Sequence, residues 1–265
     1  MRSGAWVPGR ARFARLGAVV VVAVAVVAGA AAGTARASII AASHGSSSSA
    51  STDAASTSPF GDSNLVSMFD GKTLSGWTTA DSKGWVVKNS AIHSTGDARG
   101  WIYYNKKQAG SFRWIFDVRQ YSLVGTAHMP TVLIWGTINP IRDALSAIQF
   151  QPPSPYGWDY RPGENNDGNG KFHEVTNLHL TITNWSQCEI VADQTTGVAK
   201  MACCPLATGA TTCTGAKETV IFTDKTAGRV GPIAIQVHNA GIQDEFKGLY
   251  LETPVTYKPG LFITS

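Results

Sequence analysis

The sequence lacks any amphipathic helical segment of more than about ten residues, and it contains no internal repeat. Beyond residue 59 its apolar stretches are short, rich in β-branched and aromatic residues, and interrupted by glycine, proline, asparagine and aspartate. This pattern is typical of β-strands joined by turns. Because no crossover helices are available to connect parallel strands, the sequence predicts antiparallel sheets packed face to face.

Acidic residues are absent from the first 37 residues, which contain five arginines. An apolar run covers residues 16–32, and Ala35-Arg36-Ala37 supplies the small residues of a cleavage site. These features are typical of a secretory signal, so residues 1–37 are predicted to be removed on export. An uncleaved anchor is the alternative, because an anchor needs about 20 apolar residues. No cysteine directly follows the run to accept a lipid.

The chain also has no excess of positive charge once this segment is set aside. The whole chain has 22 basic and 18 acidic residues, and loss of the five N-terminal arginines leaves 17 basic against 18 acidic residues, a net charge of −1. Such a domain has no excess of positive charge with which to bind nucleic acid. We therefore expect no nucleic acid as partner. Because the signal is predicted to be cleaved, we expect no membrane partner either, and a secreted, periplasmic or cell-surface location.

Residues 38–59 have little that could form a core. They are almost entirely serine, alanine and threonine, and they are predicted to be a disordered linker. The remaining residues 60–265 are numerous enough for one all-β domain.

Cysteine is rare: the chain has four, all between Cys188 and Cys213. An even number in an exported protein predicts two disulfides. Neighbouring Cys203 and Cys204 are poorly placed to bond each other, so we expect each to pair with Cys188 or Cys213. A zinc site is the alternative, although adjacent cysteines lack the spacing of a zinc knuckle.

The apolar runs predict a series of short strands. Their ranges are 85–88, 91–94, 100–104, 112–121, 131–137, 146–151, 177–183, 188–193, 196–202, 220–223, 232–238, 244–252 and 260–264. Alternation is clearest from 112 to 119, where apolar residues alternate with Arg113, Asp117 and Arg119. Asp117 is therefore expected to form a surface ion pair with these arginines.

Three segments are more specific than a general β-sandwich: MFDGKTLSGW at 68–77, GWVVKNSAI at 84–92, and GPIAIQVH at 231–238 followed by EFKGLYL at 245–251. They resemble the 3-keto-disaccharide hydrolase family, which has L-F-D-G-K-T-L-x-G-W, W-x-V-x-x-G-x-L and G-x-I-G-L-Q-x-H in this order. The resemblance implies a concanavalin A-like jelly roll, similar to laminin-G and glucanase domains. It also implies an exported protein that acts on carbohydrate, as a glycoside-type hydrolase.

The middle of the domain departs from the family pattern. Trp135 stands where the family has the arginine of N-S-G-x-x-x-R, and Ala147 stands at the glutamate of E-x-Q-I, of which Gln149 is kept. Trp185 keeps the tryptophan of a later G-E-W-N. These replacements favour, as the alternative, a non-catalytic lectin-like domain that binds carbohydrate. A cell-surface adhesion or structural module is the third hypothesis.

The predicted site lies on one sheet face and an adjoining loop. If Ile233 and Ile235 face the core, Gln236 and His238 share the opposite, concave face. The loop at 152–170 carries aromatic rings that could stack on a sugar ring. The predicted substrate-binding residues are Gln149, Trp158, Trp185 and Gln236. The predicted catalytic acid–base residues are Asp159 and His238.

Glycoside hydrolysis usually needs two carboxyl groups, and the sequence offers no recognised pair. The acidic candidates are Asp117, Asp159, Glu174 and Glu189, and the E-x-D-x-x-E strand of laminarinases is absent. H-x-H and H-E-x-x-H are also absent, so no catalytic metal or cofactor is predicted. Asp167, within 164–170, gives the one candidate for a structural calcium ion.

Overall fold

The computed structural model describes residues 58–122, 128–137, 146–227, 230–255 and 263. Every regular element in these ranges is a strand, and none of them contains a helix that could cross a membrane. The strands are β1 (Val66–Ser67), β2 (Trp77–Thr79), β3 (Trp85–Lys88), β4 (Ala91–Ser94), β5 (Gly100–Tyr104), β6 (Phe112–Ser122), β7 (Thr131–Thr137), β8 (Ser146–Phe150), β9 (Gly157–Asp159), β10 (Phe172–Glu174), β11 (Ser186–Asp193), β12 (Val198–Pro205), β13 (Lys217–Thr223), β14 (Ala234–Val237) and β15 (Gln243–Glu252). The predicted signal, most of the predicted linker and, except Ile263, the strand predicted at 260–264 lie outside the described residues.

The strands form two sheets in which all pairs are antiparallel. The larger sheet has the spatial order β10-β13-β12-β11-β6-β15-β4-β3, with β1 beside β15, and the smaller has the order β2-β5-β14-β7-β8-β9. Strands distant in sequence are neighbours in both sheets, as in β14 between β5 and β7. This arrangement confirms the predicted two-sheet jelly-roll sandwich.

The core lies between the two sheets and is built by alternation. Phe112, Trp114 and Phe116 of β6 are fully buried, and they belong to the same apolar cluster as Ile235 of β14 on the other sheet. Successive side chains on a strand point to opposite faces, so every second residue of these strands enters this layer. Each large apolar side chain buried in it stabilises the fold by about 1.5–3 kcal/mol. The other residues of each strand face outwards, where a site can form.

The segment 68–77 closes one edge of the sandwich. Asp70 Oδ1 accepts hydrogen bonds from the backbone N–H groups of Lys72 and Thr73 at 2.8 and 2.7 Å. Gly71 has a φ of 74°, a conformation that glycine adopts without steric cost. After this turn Trp77 enters the core, and its indole Nε1 donates to the Met68 carbonyl at 2.8 Å.

One predicted strand is wrong. Residues 177–183 form no strand, although Leu178 and Leu180 pack against the core. His179 between them has a φ of 49°, which is incompatible with an extended strand. The apolar alternation therefore reflects packing on the core without strand pairing.

The surface ion pair predicted for Asp117 is also wrong. Asp117 is only 4 % exposed and accepts a hydrogen bond from Gln187 Nε2 at 2.7 Å. Of the two nearby arginines, Arg113 pairs with Glu189 and Arg119 pairs with Glu245. The strand face that carries Asp117 is therefore covered by other side chains, and its two arginines pair with carboxylates of neighbouring strands.

The four cysteines form the disulfides Cys188–Cys203 and Cys204–Cys213. This pairing confirms that the adjacent cysteines each bond a distant partner, and the zinc alternative is wrong because all four are consumed. Cys188 and Cys203 lie directly opposite each other on β11 and β12. Cys203 faces the core between the sheets, whereas Cys204 faces a smaller cluster on the outer side.

Candidate functional site

The outer face of the six-stranded sheet carries a row of glutamine side chains. Gln236 of β14 and Gln149 of β8 lie on either side of β7, and Gln149 Nε2 donates to Gln236 Oε1 at 2.7 Å. Gln151 Nε2 in turn donates to Gln149 Oε1 at 3.1 Å. These bonds fix the orientation of the Gln149 amide, because its oxygen and one of its N–H groups are already used.

Two histidines meet at one end of this row. His128 precedes β7 and His238 follows β14, and the antiparallel pairing of these strands places the two residues side by side. Their rings are stacked, with centroids 4.0 Å apart and an interplanar angle of 17°. His238 Nδ1 lies 2.8 Å from Asn239 Oδ1. A hydrogen on Nδ1 satisfies this contact, and it leaves Nε2 as the acceptor of the neutral ring.

The charge state of His128 follows from its surroundings. Partial burial lowers the pKa of the His128 imidazole, and the positive charges of His238 and Arg99 lower it further. The lowered pKa favours the neutral ring, which can both accept and donate a hydrogen bond.

An aromatic side chain lies next to the glutamine row because β9 pairs with β8. Trp158 lies directly opposite Gln149 in this pairing, and its indole Nε1 donates to Asn165 Oδ1 at 3.4 Å. The ring centroid of Tyr160 is 6.1 Å from that of Trp158. The two rings form one side of a cleft whose other side is the histidine pair.

The cleft has a volume of about 580 Å³. We call it the histidine–glutamine cleft, and it is lined by Arg99, His128, Gln149, Gln151, Trp158, Tyr160, Asn165 and His238. Three predicted site residues, Gln149, Trp158 and His238, therefore line one space. Gln236 is not among the lining residues, and its Oε1 accepts the hydrogen bond from Gln149; both side chains are buried.

Asp159, a predicted acid–base residue, does not line this cleft. In the β8–β9 pairing Asp159 lies opposite Ile148, and Ile148 faces the core, whereas Trp158 shares the face of Gln149. Asp159 is fully buried, and Arg161 Nη2 binds its Oδ2 at 2.7 Å. Adjacent residues on a strand point to opposite faces, so Asp159 and Trp158 cannot both reach the same site.

The Asp159 carboxylate belongs to a cluster that holds the Trp158 loop. Arg161 Nη2 also binds Asp224 Oδ2 at 2.6 Å. Lys171 Nζ lies 3.5, 3.0 and 2.7 Å from carboxylate oxygens of Asp159, Asp224 and Glu164. The three carboxylates are close enough to bind a metal ion, and Arg161 and Lys171 already bind several of their oxygens. A metal ion at this cluster would compete with these two cations for the same oxygens. Asp167, which was predicted to bind calcium, is exposed and outside the cluster.

Trp185, the fourth predicted binding residue, lies on the other sheet. It precedes β11, and its ring contacts the charged groups of Arg119 at 4.6 Å and Lys247 at 4.3 Å. This tryptophan covers charged groups on the outer face of the nine-stranded sheet. The structure therefore does not bring Trp185 together with Gln149 and Trp158.

Several carboxyl groups of the nine-stranded sheet are buried. Glu245 is fully buried between Arg119 Nη2 at 2.6 Å and His93 Nδ1 at 3.2 Å. Burial raises the pKa of Asp117 and of Glu189 to about 7, although Gln187 opposes the shift at Asp117 and Arg113 opposes it at Glu189. Glu174, the remaining acidic candidate, is exposed on β10.

The positions that were predicted to differ from the family pattern also have a structural account. A bulge interrupts the β7–β8 pairing after Ile134, and Trp135 has a φ of 53°. The bulge turns Trp135 into the core, where its Nε1 donates to the Gly110 carbonyl at 2.7 Å. Ala147 is buried on the cleft side of the sheet, in a small apolar cluster with Trp101, Leu133 and Ala234. Neither position brings a charged group to the cleft.

The sequence prediction missed five lining residues: Arg99, His128, Gln151, Tyr160 and Asn165. A signal existed for Gln151, which lies two residues beyond Gln149, and for Tyr160, which lies two residues beyond Trp158. Arg99 and His128 lie outside strands, so no periodic pattern indicates them.

No protein with a curated description matches the sequence. Similar solved structures include the carbohydrate binding module CBM66 from Bacillus subtilis, with 11 % identity, a TM-score of 0.47, and coverage of 67 % of this chain and 96 % of that one. A putative glycosyl hydrolase from Parabacteroides distasonis has 12 % identity, a TM-score of 0.45, and coverage of 68 % and 94 %.

A family model described as a 3-keto-alpha-glucoside-1,2-lyase-like domain matches residues 64–252, which is most of the chain. The match spans all three segments that resemble the 3-keto-disaccharide hydrolases, and it confirms that resemblance. The chain belongs to the 3-keto-alpha-glucoside-1,2-lyase-like family.

Proposed function

We propose that this chain is an exported carbohydrate-binding protein that holds a sugar in the histidine–glutamine cleft. The observation that carries the proposal is the position of Trp158 directly opposite Gln149, beside a hydrogen-bonded row of glutamines. A sugar ring has an apolar face of C–H groups that can stack on an indole, and hydroxyl groups that amides and imidazoles can bind. The cleft offers both kinds of contact at neighbouring positions.

The dimensions and rigidity of the cleft support this proposal. Its volume of about 580 Å³ lies within the range of about 300–1,000 Å³ that is usual for small-molecule sites. Gln149 is held by its two neighbours, and the Trp158 loop is held by the Asp159–Arg161 ion pair. A site that is already ordered loses less conformational entropy when a ligand binds.

Export is part of the proposal and rests on separate observations. The two disulfides are typical of proteins from oxidising compartments. The basic and apolar N-terminal segment with Ala35-Arg36-Ala37 is typical of a secretory signal.

Carboxylate-pair hydrolysis is less well supported than binding. The described residues that line the cleft include no aspartate or glutamate. Asp159 faces away from the cleft and is bound by Arg161 and Lys171. Glycosidases usually need one carboxyl group as an acid and a second as a base or nucleophile, both facing the sugar.

A second candidate function is elimination from a 3-keto-glycoside, which is favoured by the family description and by the histidine pair. The ketone acidifies the hydrogen on C2, and a neutral imidazole such as His238 at Nε2 could accept that proton. The C2–H electrons then form a C1=C2 double bond while the C1–O bond breaks, and the leaving oxygen takes up a proton. This step needs a base but no pair of carboxylates.

The decisive experiment measures sugar binding by calorimetry with purified protein and a panel of mono- and oligosaccharides. We expect Trp158→Ala to weaken binding at least about tenfold, equivalent to ~1.4 kcal/mol. Trp185→Ala removes the same side chain from the opposite sheet and should leave affinity unchanged. Loss of binding in Trp185→Ala but not in Trp158→Ala would place the site on the other sheet.

The same proteins distinguish binding from elimination. They are incubated with a 3-keto-α-glucoside, and the conjugated enone product is followed by its ultraviolet absorbance. Turnover that His238→Gln abolishes, while sugar affinity persists, would establish the second function. Binding without turnover would leave the first.

A further inference from the structure

We propose that Gln120 is a positioning residue of the histidine–glutamine cleft, and that it makes the placement of His128 depend on a proton held by Asp244. The proposal rests on the proposed sugar site and adds to it a control by pH. It is carried by two hydrogen bonds from one amide group, and by two buried oxygens of the same pair that have no partner among the described residues.

Gln120 and Asp244 point into the layer between the two sheets. Val118 of β6 and Phe246 of β15 face the core, and Gln120 and Asp244 lie two positions away from them on the same strands. The two residues are directly opposite each other in the β6–β15 pairing, and both side chains are buried. From this position Gln120 reaches His128, which precedes β7 of the smaller sheet.

Both N–H groups of the Gln120 amide are used. Nε2 donates to the His128 main-chain carbonyl at 2.7 Å and to Asp244 Oδ1 at 3.1 Å. A flipped amide would place Oε1 against the His128 carbonyl, which is also an acceptor, so this carbonyl determines the orientation of the amide. Gln120 therefore holds the main chain at His128, whose ring stacks on His238 in the cleft.

One proton accounts for the two oxygens without a partner, Gln120 Oε1 and Asp244 Oδ2. A proton on Asp244 Oδ2 can be donated to Gln120 Oε1 while Oδ1 accepts from Nε2, so that acid and amide form a reciprocal pair. Burial raises the pKa of Asp244 to about 8, although the Gln120 bond opposes the shift. The raised pKa agrees with a proton at this position at neutral pH.

Ionisation of Asp244 removes this donor and sets a negative charge against Gln120 Oε1. The amide can relieve the contact between these two acceptors only by turning, and the turn withdraws its N–H group from the His128 carbonyl. The histidine pair then loses its support from the nine-stranded sheet. We therefore expect sugar affinity to fall as pH rises through about 8.

Other titratable groups near Asp244 are separated from it by strand alternation or by their own pKa. From β4, Asp244 is faced by Ser94, whose Oγ accepts its backbone N–H at 2.7 Å and which does not titrate in this range. The residues at the alternate positions of β4, β6 and β15 contact one another on the outer face: His93, Arg119, Tyr121 and Glu245. Across the core the titratable groups are those of the cleft: Arg99, His128 and His238. The lowered pKa of His128 keeps its titration below the range in which Asp244 ionises.

The first test measures sugar affinity by calorimetry at pH 7 and pH 9, with the tightest-binding member of the mono- and oligosaccharide panel. At pH 9 about a tenth of the parent protein keeps the proton on Asp244, so its affinity should be about tenfold lower than at pH 7. Asp244→Asn has no proton to lose, and its amide can replace the acid in the reciprocal pair. This variant should match the parent at pH 7 and keep its affinity at pH 9.

Two further variants locate the effect. Gln120→Met removes the bond to the His128 carbonyl and should bind the sugar weakly at both pH values. Asp117→Asn removes another buried acid with a raised pKa, which lies on the outer face of the nine-stranded sheet, and it should keep the pH dependence of the parent. Equal pH dependence in the parent and in Asp244→Asn would overturn the inference and leave the sugar site intact.

Proton NMR of the imidazole groups tests the link between Asp244 and His128 without any sugar. The His128 signals are identified by their absence from His128→Gln. They should shift in a step near pH 8 in the parent protein and show no such step in Asp244→Asn. If no sugar binds and the step is present, the proposed function fails while the link stands. A parent protein without this step would overturn the link.

Discussion

Asp244 gives the protein a buried acid whose ionisation opposes folding. Its side chain is 1 % exposed, and its Oδ1 accepts a hydrogen bond from Gln120 Nε2 at 3.1 Å. Its Oδ2 has no hydrogen-bond partner among the described residues. Burial raises the pKa of Asp244 from 3.8 to about 8, although the Gln120 bond opposes the shift. At neutral pH the folded protein therefore holds a proton that the unfolded chain releases.

The sign and size of the effect follow from proton linkage. Because the folded pKa lies above the unfolded one, unfolding free energy falls as pH rises from about 4 to about 8. One pKa unit corresponds to about 1.4 kcal/mol, so this residue alone removes about 3 kcal/mol between pH 5 and pH 7. Asp244→Asn abolishes the ionisation and keeps an acceptor for Gln120. The stability advantage of this variant over the parent protein should grow by about 3 kcal/mol across the same interval.

The assay is urea unfolding followed by tryptophan fluorescence, for parent and variant at several pH values. Other buried acids such as Asp117 and Glu189 are present in both proteins, so their contributions cancel in the difference. Asp97→Asn, an exposed position, serves as the control and should show no pH-dependent difference. If the difference between Asp244→Asn and the parent stays constant from pH 5 to pH 7, Asp244 is not protonated in the folded protein and the reasoning fails.

Two further predictions concern the charged cluster and the disulfides. Arg161→Met should lower the free energy of unfolding by about 3–5 kcal/mol, because it leaves the Asp159 carboxylate buried without its main partner. Adding Asp159→Asn to this variant should recover part of the loss, as measured by urea unfolding. An unchanged urea midpoint for Arg161→Met alone would contradict the prediction. Joint replacement of Cys188 and Cys203 by alanine should lower the free energy of unfolding by about 3 kcal/mol, because the disulfide restricts the unfolded chain. The measurement is again urea unfolding, with the Cys204–Cys213 disulfide intact. Equal stability of variant and parent would show that the Cys188–Cys203 disulfide does not restrict the unfolded chain.

Much of the fold could be predicted because strands half-buried in a sandwich alternate in sequence. The predicted ranges 85–88, 91–94, 100–104 and 131–137 coincide with β3, β4, β5 and β7. Strands of two or three residues, such as β1 and β9, are too short to show a period. The bulge that turns Trp135 inwards interrupts the alternation of inward and outward side chains on β7. Such a bulge depends on tertiary packing, so the local sequence pattern does not predict it.

The candidate site could be predicted only where residues share a strand face. Gln149 and Gln236 could be assigned to the same side of the sheet because their apolar neighbours face the core. Alternation also shows that Trp158 and Asp159 point to opposite sides, once β9 is known to be a strand. His128 and His238 are 110 positions apart and meet because β7 and β14 are antiparallel neighbours. That meeting depends on strand order, which the sequence did not reveal.

Because Cys203 and Cys204 are adjacent, the two disulfides can form only when β12 is in the correct register with β11. The two residues face opposite sides of β12, so each crosslink secures a different surface of the same strand. A slip of β12 by one position along β11 would bring Cys204 opposite Cys188 and turn Met201 out of the core. Formation of the two native disulfides therefore requires the alignment in which the apolar side of β12 is buried. Once formed, the disulfides hold β12 covalently in that alignment.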